Sequence, residues 1–167
     1  YNLSIRFERI GVEDGLSQSS VNAILQDSQG FLWFGTEDGL NRYDGYNFEI
    51  YRPDLENDAS ISDRWVTALA EDNEGFVWVG TRQGGLNRFD PRSGEFTVYR
   101  RDPAEASSLS ANWIRALLFD SRGVLWVGTS AGLDQFDPQT GTFLHPTTED
   151  GLARREGVRQ GAGHGRR

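Results

Sequence analysis

The stretch FLWFGTEDGLNRYDG, residues 31–45, places three carboxylates among aromatic and glycine residues and could therefore hold a cation or another ligand. Carboxylate oxygens bind hard cations such as Ca²⁺, but the preceding turn DSQG lacks the further oxygen ligands that a calcium-binding loop supplies at alternate positions. The stretch occurs in two further copies, and its acidic pair Glu37-Asp38 becomes Arg-Gln in one copy and Ser-Ala in the other. The shared positions are therefore predicted to be framework, and a ligand site is expected where the copies differ.

Five residues at such variable positions are candidates for ligand contact. Two long polar segments, 52–65 and 100–113, each end in a tryptophan, where the first copy has Ser20. A variable aromatic ring at an exposed rim can stack on a sugar ring, and the alternative is that it packs on a neighbouring element. Polar side chains beside these rings or in a hairpin tip could add hydrogen bonds, although a loop arginine is usually just solvated. The candidates are Trp65, Trp113, Arg64, Arg82 and Gln83.

The residue types give little support for catalysis. The chain has no cysteine, which excludes disulfides, thiolate metal sites and a cysteine nucleophile. Its two histidines, His145 and His164, support neither a histidine-based triad nor a zinc site. The carboxylates recur at turn positions, which favours a role in folding over acid–base pairing. We predict no catalytic residue, no metal and no cofactor.

The overall composition restricts the partners. The 167 residues carry a formal net charge of −8, which argues against a nucleic-acid partner because phosphates are bound by a basic face. No run of about eighteen apolar residues occurs, so the sequence predicts no membrane span. There is no methionine, even at position 1, and we therefore expect an excised or processed segment whose lack of a signal peptide says nothing about export.

The elements that must position the candidate residues form a threefold repeat. The copies align on Trp33, Trp78 and Trp126, which are 45 and 48 residues apart. An aspartate lies six residues before each tryptophan, a glycine lies three before, and Gly-Thr, Gly-Leu and aromatic-Asp pairs follow it. Each copy predicts four short strands joined by turns, in which the aspartates can accept backbone N–H bonds. A four-stranded unit repeating about every 45 residues has the size of a propeller blade.

The predicted fold is all-β, with three four-stranded antiparallel blades of an incomplete propeller at residues 7–52, 53–100 and 101–148. The repeated tryptophans are expected to fill the contacts between stacked blades, and burial of each ring contributes about 2–3 kcal/mol. In a propeller wound in this order, the segments leading into the first strands share one face with the tips between the second and third strands. That face is the expected ligand face.

Residues 149–167 begin as a fourth repeat, with the sequence EDGL, but then lose the expected valine, aspartate and turn glycine. We expect this segment to be a disordered or out-of-frame end. Propellers close with about four or more blades, so three blades would leave two outer faces uncovered. We therefore expect the isolated chain to be marginally stable or to self-associate.

The pattern V-x-x-I/L-x-x-D-x-x-G-x-x-W-x-G-T-x-x-G-L-x-x-F/Y-D resembles the two-component regulator propeller repeat, over about residues 7–152. The resemblance implies the periplasmic sensing region of a bacterial inner-membrane receptor. Such receptors are homodimers that signal through a histidine kinase, often hybrid and feeding a phosphorelay, or through a diguanylate cyclase. No output module is present in this sequence, so the resemblance implies no catalysis by the chain itself.

The sequence is compatible with three functions. The first is a ligand-sensing propeller segment, and the resemblance makes carbohydrate one class of small ligand. The second is a protein-interaction propeller scaffold, and the third is a propeller hydrolase or lyase. The further blades of the same receptor are expected partners in each of the first two cases.

Overall fold

The computed structural model describes residues 4–147, which contain twelve β-strands and one short 3₁₀ helix, Val12–Asp14. The strands are β1 Val21–Gln26, β2 Leu32–Thr36, β3 Gly39–Tyr43, β4 Phe48–Tyr51, β5 Val66–Glu71, β6 Val77–Thr81, β7 Leu86–Asp90, β8 Glu95–Tyr99, β9 Ile114–Phe119, β10 Leu125–Thr129, β11 Gly132–Asp137 and β12 Thr142–Leu144. They form three antiparallel sheets, each with its four strands in chain order. We call these sheets blades 1, 2 and 3. The predicted all-β fold of three four-stranded blades is confirmed, and the predicted fourth repeat lies outside the described residues.

An aspartate holds the hairpin between the first two strands of each blade. In blade 1, Asp27 accepts the backbone N–H groups of Gln29 and Phe31 through Oδ1, at 3.0 and 2.9 Å. Its Oδ2 accepts the indole Nε1–H of Trp33 at 2.8 Å. The same three bonds recur around Asp72 and around Asp120. The expectation that these aspartates bind backbone N–H groups is confirmed, and the bond to tryptophan ties each turn to the packed interior.

Two hydrophobic clusters join the three blades. Trp33 of blade 1 is fully buried and lies edge-to-face against Phe89 of blade 2, with 5.4 Å between the ring centroids. Trp78 of blade 2 packs in the same way on Phe136 of blade 3, at 4.9 Å. The prediction that the repeated tryptophans fill the contacts between blades is confirmed for these two. Trp126 lies on the outer side of blade 3, a face that no other described element covers.

The glycine in each W-x-G-T sequence explains how closely the blades approach. A Cβ atom at Gly35 would lie 2.5 Å from Val66 Cγ1, and one at Gly80 would lie 2.6 Å from Ile114 Cγ2. Val66 and Ile114 each begin the first strand of the next blade. Only a residue without a side chain allows this approach. At Gly128, on the outer side of blade 3, the nearest atom would be 3.5 Å away and belongs to Ala116 of the same blade.

Both end faces of the stack expose large apolar side chains. Ile24 on the outer side of blade 1 is 67% exposed, and Leu118 on the outer side of blade 3 is 64% exposed. Leu118, Leu133 and Trp126 line an apolar depression of about 340 Å³. These faces are the uncovered surfaces expected for three blades. Within residues 4–147, no helix has the length and apolar character needed to cross a membrane.

Candidate functional site

The tips between the second and third strands lie against the segments that lead into the first strands. The backbone N–H of Gly39 donates to the carbonyl of Arg64, at 2.6 Å, and that of Arg82 donates to the carbonyl of Trp65, at 3.0 Å. Ser130 in blade 3 makes the equivalent bond to Trp113, also at 3.0 Å. These bonds put tips and leading segments on one face, as predicted. We call this face the rim; it consists of segments 52–65 and 100–113 together with the three tips.

Two tryptophans and one arginine of the rim lie together, and Arg115 at the start of β9 lies next to them. The guanidinium carbon of Arg82 lies 4.0 Å from the ring centroid of Trp65 and 5.4 Å from that of Trp113. The guanidinium carbon of Arg115 lies 4.1 Å from the ring centroid of Trp113. We call Trp65, Arg82, Trp113 and Arg115 the tryptophan–arginine ladder. Each such cation–π contact contributes about 0.5–1 kcal/mol at an exposed site, so the ladder is a modest but continuous interaction.

The ladder crosses the boundary between two blades. Trp65 and Arg82 belong to blade 2. Trp113 directly precedes the first strand of blade 3, and Arg115 lies in that strand. Trp113 is 37% exposed, and Trp65 is half-buried. Among the described residues, neither Arg82 nor Arg115 has a side-chain hydrogen bond or ion pair, so their N–H edges are available to an external acceptor.

The structure brings three of the five candidate residues together and leaves two apart. Trp65, Trp113 and Arg82 are neighbours in the ladder. The guanidinium of Arg64 instead faces Asp38 of blade 1, with Nη1 3.7 Å from Oδ1. Gln83 is exposed, and its backbone N–H donates to Asp63 Oδ2 at 2.8 Å.

Arg115 is a ladder member that sequence reasoning missed. It lies two residues after Trp113, the spacing that puts two side chains on the same side of a strand, and this was the available signal. Two arginine–aromatic contacts outside the ladder recur from one repeat to the next. Arg42 covers Phe31 at 3.9 Å and Arg88 covers Phe76 at 4.6 Å, at equivalent positions in two repeats. Contacts that recur in this way belong to the framework.

His145, the histidine within residues 4–147, has both ring nitrogens engaged, with Asp134 and with the carbonyl of Ala106. No group of three or more histidine, aspartate or glutamate side chains in the same range is placed to hold a metal ion. Open aromatic and guanidinium surfaces of the ladder can instead stack on a ring and donate hydrogen bonds to it.

Comparison with known proteins identifies the repeats. Residues 15–38, 60–83 and 108–131 match the family model of the two component regulator propeller. Each matched segment runs from the region before the first strand to the tip after the second strand. The three matches therefore include the framework tryptophans and the four residues of the ladder.

Similar proteins include two signalling proteins. A histidine kinase of Formosa agariphila is 52% identical over 61 residues, which are 36% of this chain and 4% of the kinase. The extracellular domain of a hybrid two-component system of B. thetaiotaomicron is 34% identical, with a TM-score of 0.79, over 85% of this chain and 20% of that domain. This chain thus spans a fifth or less of either protein. It is homologous to part of the extracellular region of such sensor systems.

A virginiamycin B lyase from Staphylococcus aureus shares the fold. Its TM-score is 0.59 at 15% identity, over 86% of this chain and 45% of the lyase. At this level of identity, the likeness concerns the arrangement of the blades alone.

Proposed function

We propose that this chain, which carries three two-component regulator propeller repeats, is a ligand-sensing segment of the periplasmic part of a bacterial receptor. The homology to the extracellular domain of a hybrid two-component system supports an extracytoplasmic position. In this proposal the chain itself is non-catalytic, and the receptor is a homodimer. The rest of the receptor supplies the further blades, the membrane helix and a histidine kinase or diguanylate cyclase output.

The tryptophan–arginine ladder is the observation that carries the proposal of ligand sensing. The Trp113 ring, which is 37% exposed, can stack on a sugar ring, and the guanidinium edges of Arg82 and Arg115 can donate to its oxygen atoms. We therefore propose a carbohydrate as the ligand class. No comparable set of open aromatic and cationic groups occurs at the equivalent place in blade 1, where Ser20 replaces the tryptophan.

The position of the ladder also suggests how binding could reach the receptor. Arg82 lies in the tip of blade 2 and touches Trp113, which leads into blade 3. A ligand that stacks on Trp113 and binds Arg82 therefore contacts both blades. Its binding energy would favour one relative position of the two blades, and a receptor can transmit such a population shift.

Binding of sugars to the whole chain tests the proposal. Wild-type protein, Trp113→Ala and Trp65→Ala would be compared by calorimetry and thermal shift against disaccharides of neutral and acidic sugars. Tyr46→Ala is the matched control, because Tyr46 is an aromatic residue that is 90% exposed and lies outside the ladder. We expect affinity to fall about tenfold in Trp113→Ala and to be unchanged in Tyr46→Ala. Equal affinity in all variants would place the ligand elsewhere.

A protein-interaction scaffold is the second candidate, and the two exposed apolar end faces favour it. Side chains such as Ile24 and Leu118 suit a protein surface better than a sugar. If no sugar shifts the melting temperature of the wild-type chain, the scaffold becomes the better explanation. A lyase activity is supported only by the similarity of fold to the virginiamycin B lyase.

A further inference from the structure

Blade 3 differs from the other blades at one buried polar position. In blades 1 and 2 this position is Asn41 or Asn87, whose Oδ1 accepts the backbone N–H of a serine and whose Nδ2 donates to the hydroxyl of the same serine. Blade 3 has Asp134 instead, which is only 1% exposed. Its Oδ2 still accepts the backbone N–H of Ser110, at 2.8 Å. A carboxylate lacks the amide donor, so its second oxygen requires a donor from elsewhere.

His145 supplies that donor from the neighbouring strand. The residues opposite Asn41 and Asn87 on the fourth strand are Ile50 and Val98, both apolar. In blade 3 the equivalent residue, just after β12, is His145. An Asn–apolar pair in two blades is thus replaced by an Asp–His pair in the third.

The bonds of His145 require two protons, one on Nε2 and one between Nδ1 and Asp134. Nε2 lies 2.9 Å from the carbonyl oxygen of Ala106, which can only accept, so this nitrogen must donate. Nδ1 lies 2.7 Å from Asp134 Oδ1, and a proton must stand between these atoms as well. Loss of one proton would leave a nitrogen lone pair facing an oxygen lone pair at one of the two contacts. A buried carboxylate without its partner is costly.

The electrostatic surroundings agree with this requirement. Burial lowers the pKa of His145, but the hydrogen bond and charge of Asp134, together with the carbonyl groups of Ala106 and Ser108, outweigh it and raise the pKa above 6.5. Three further charged residues, Arg101, Asp102 and Glu105, line the cleft of about 300 Å³ beside the imidazole. Two of these three are acidic, so the local balance favours an imidazolium.

We propose that His145, Asp134 and the carbonyl of Ala106 form a proton-dependent latch in blade 3. The latch ties the end of β12 to β11 and to the leading segment 100–113, which ends at Trp113 of the rim. Because the folded pKa is raised, the latch contributes its full stability below the unfolded pKa of about 6.5. That contribution is lost as the pH rises through the folded pKa. Blades 1 and 2 have no titratable group at the positions that correspond to Asp134 and His145, so this pH response belongs to blade 3.

Titration of His145 by NMR provides the first test, with His164→Gln used to assign the second histidine of the chain. We expect a pKa above 6.5 in the wild-type chain. Asp134→Asn removes the charge but keeps the shape, and we expect the His145 pKa to fall in this variant. A His145 pKa at or below 6.5, or one that Asp134→Asn leaves unchanged, would overturn the latch.

Hydrogen exchange of segment 101–110 provides the second test. The double variant Asp134→Asn/His145→Val recreates the Asn–Val pair of blade 2 and is the matched control at each pH, so that intrinsic exchange cancels. Between about pH 5.5 and about pH 8.5, we expect protection of this segment in the wild type to fall about fivefold relative to the double variant. A constant ratio would show that protonation of His145 does not hold the segment.

Discussion

Replacing Gly80 by alanine should weaken the contact between blades 2 and 3. The added Cβ would lie 2.6 Å from Ile114 Cγ2 and 2.9 Å from Ile114 Cβ, whereas carbon atoms in proteins pack at about 3.5–4.0 Å. Overpacking of this kind costs about 1–3 kcal/mol. Alanine in a strand recovers about 0.5–1 kcal/mol relative to glycine, so the expected net loss in free energy of unfolding lies within about 0–2.5 kcal/mol and is centred near about 1 kcal/mol.

Gly128→Ala is the control for this substitution. Gly128 has the same place in the W-x-G-T sequence of blade 3, but the new Cβ would meet nothing closer than Ala116 at 3.5 Å. Alanine stabilises the strand relative to glycine and here causes no clash, so the free energy of unfolding should be unchanged or raised by about 0.5 kcal/mol. Urea unfolding followed by tryptophan fluorescence would measure both variants, because Trp78 lies at this boundary.

A double-mutant cycle with Ile114→Ala isolates the clash. Ile114→Ala removes Cγ2, the nearest atom, so Gly80→Ala should cost less in that background than in the wild type. Additive costs, or equal effects of Gly80→Ala and Gly128→Ala, would refute the argument that glycine is needed for the approach of the next blade.

Three further predictions concern the turns, the interior and the outer faces. Asp72→Asn places an amide N–H₂ against the Nε1–H of Trp78 and should lower the unfolding free energy by about 1–2 kcal/mol. Asp44→Asn should cost less in the same urea assay, because the backbone N–H groups of Tyr46 and Asn47 both donate to Oδ1 of Asp44, which an amide oxygen can replace. Burial, with the neighbouring Glu49, raises the pKa of Tyr51 to about 12. Its stabilisation should therefore be present below the unfolded pKa of about 10 and be lost as pH rises toward 12, and difference spectra should show Tyr51 ionising above about pH 10. Leu118→Glu charges the outer face of blade 3 and should reduce self-association in sedimentation experiments, and a wild-type chain that stays monomeric at high concentration would contradict this.

The repeated positions made most of the fold predictable. Equal offsets from Trp33, Trp78 and Trp126 fixed the strands, the turns and the residues between blades, because each repeat buries the same face against its neighbour. The bond from each tryptophan to the aspartate six residues earlier was not predicted. It depends on how the hairpin closes, which the sequence spacing does not show.

The site was only partly predictable, because it combines residues of two blades. Trp65 and Trp113 stood out as departures from Ser20 of the first copy. The position of Arg82 between them depends on the contact between blades 2 and 3, which no pattern within one repeat encodes. The change from asparagine in GLN to aspartate in GLD was readable at Asp134, but its meaning required the pairing with His145.

The leading segment of blade 3 connects the two features that set this blade apart. Its carbonyl at Ala106 binds His145, and its last residue, Trp113, lies in the ladder against Arg82. If both contacts stabilise one conformation of the segment, they must be coupled, and coupling between binding events is reciprocal. Trp113→Ala should then lower the raised pKa of His145, whereas Trp65→Ala, which alters the ladder within blade 2, should change it less. NMR titration of His145 in both variants measures this difference, and identical pKa values in the wild type and Trp113→Ala would show that the two ends of the segment act independently.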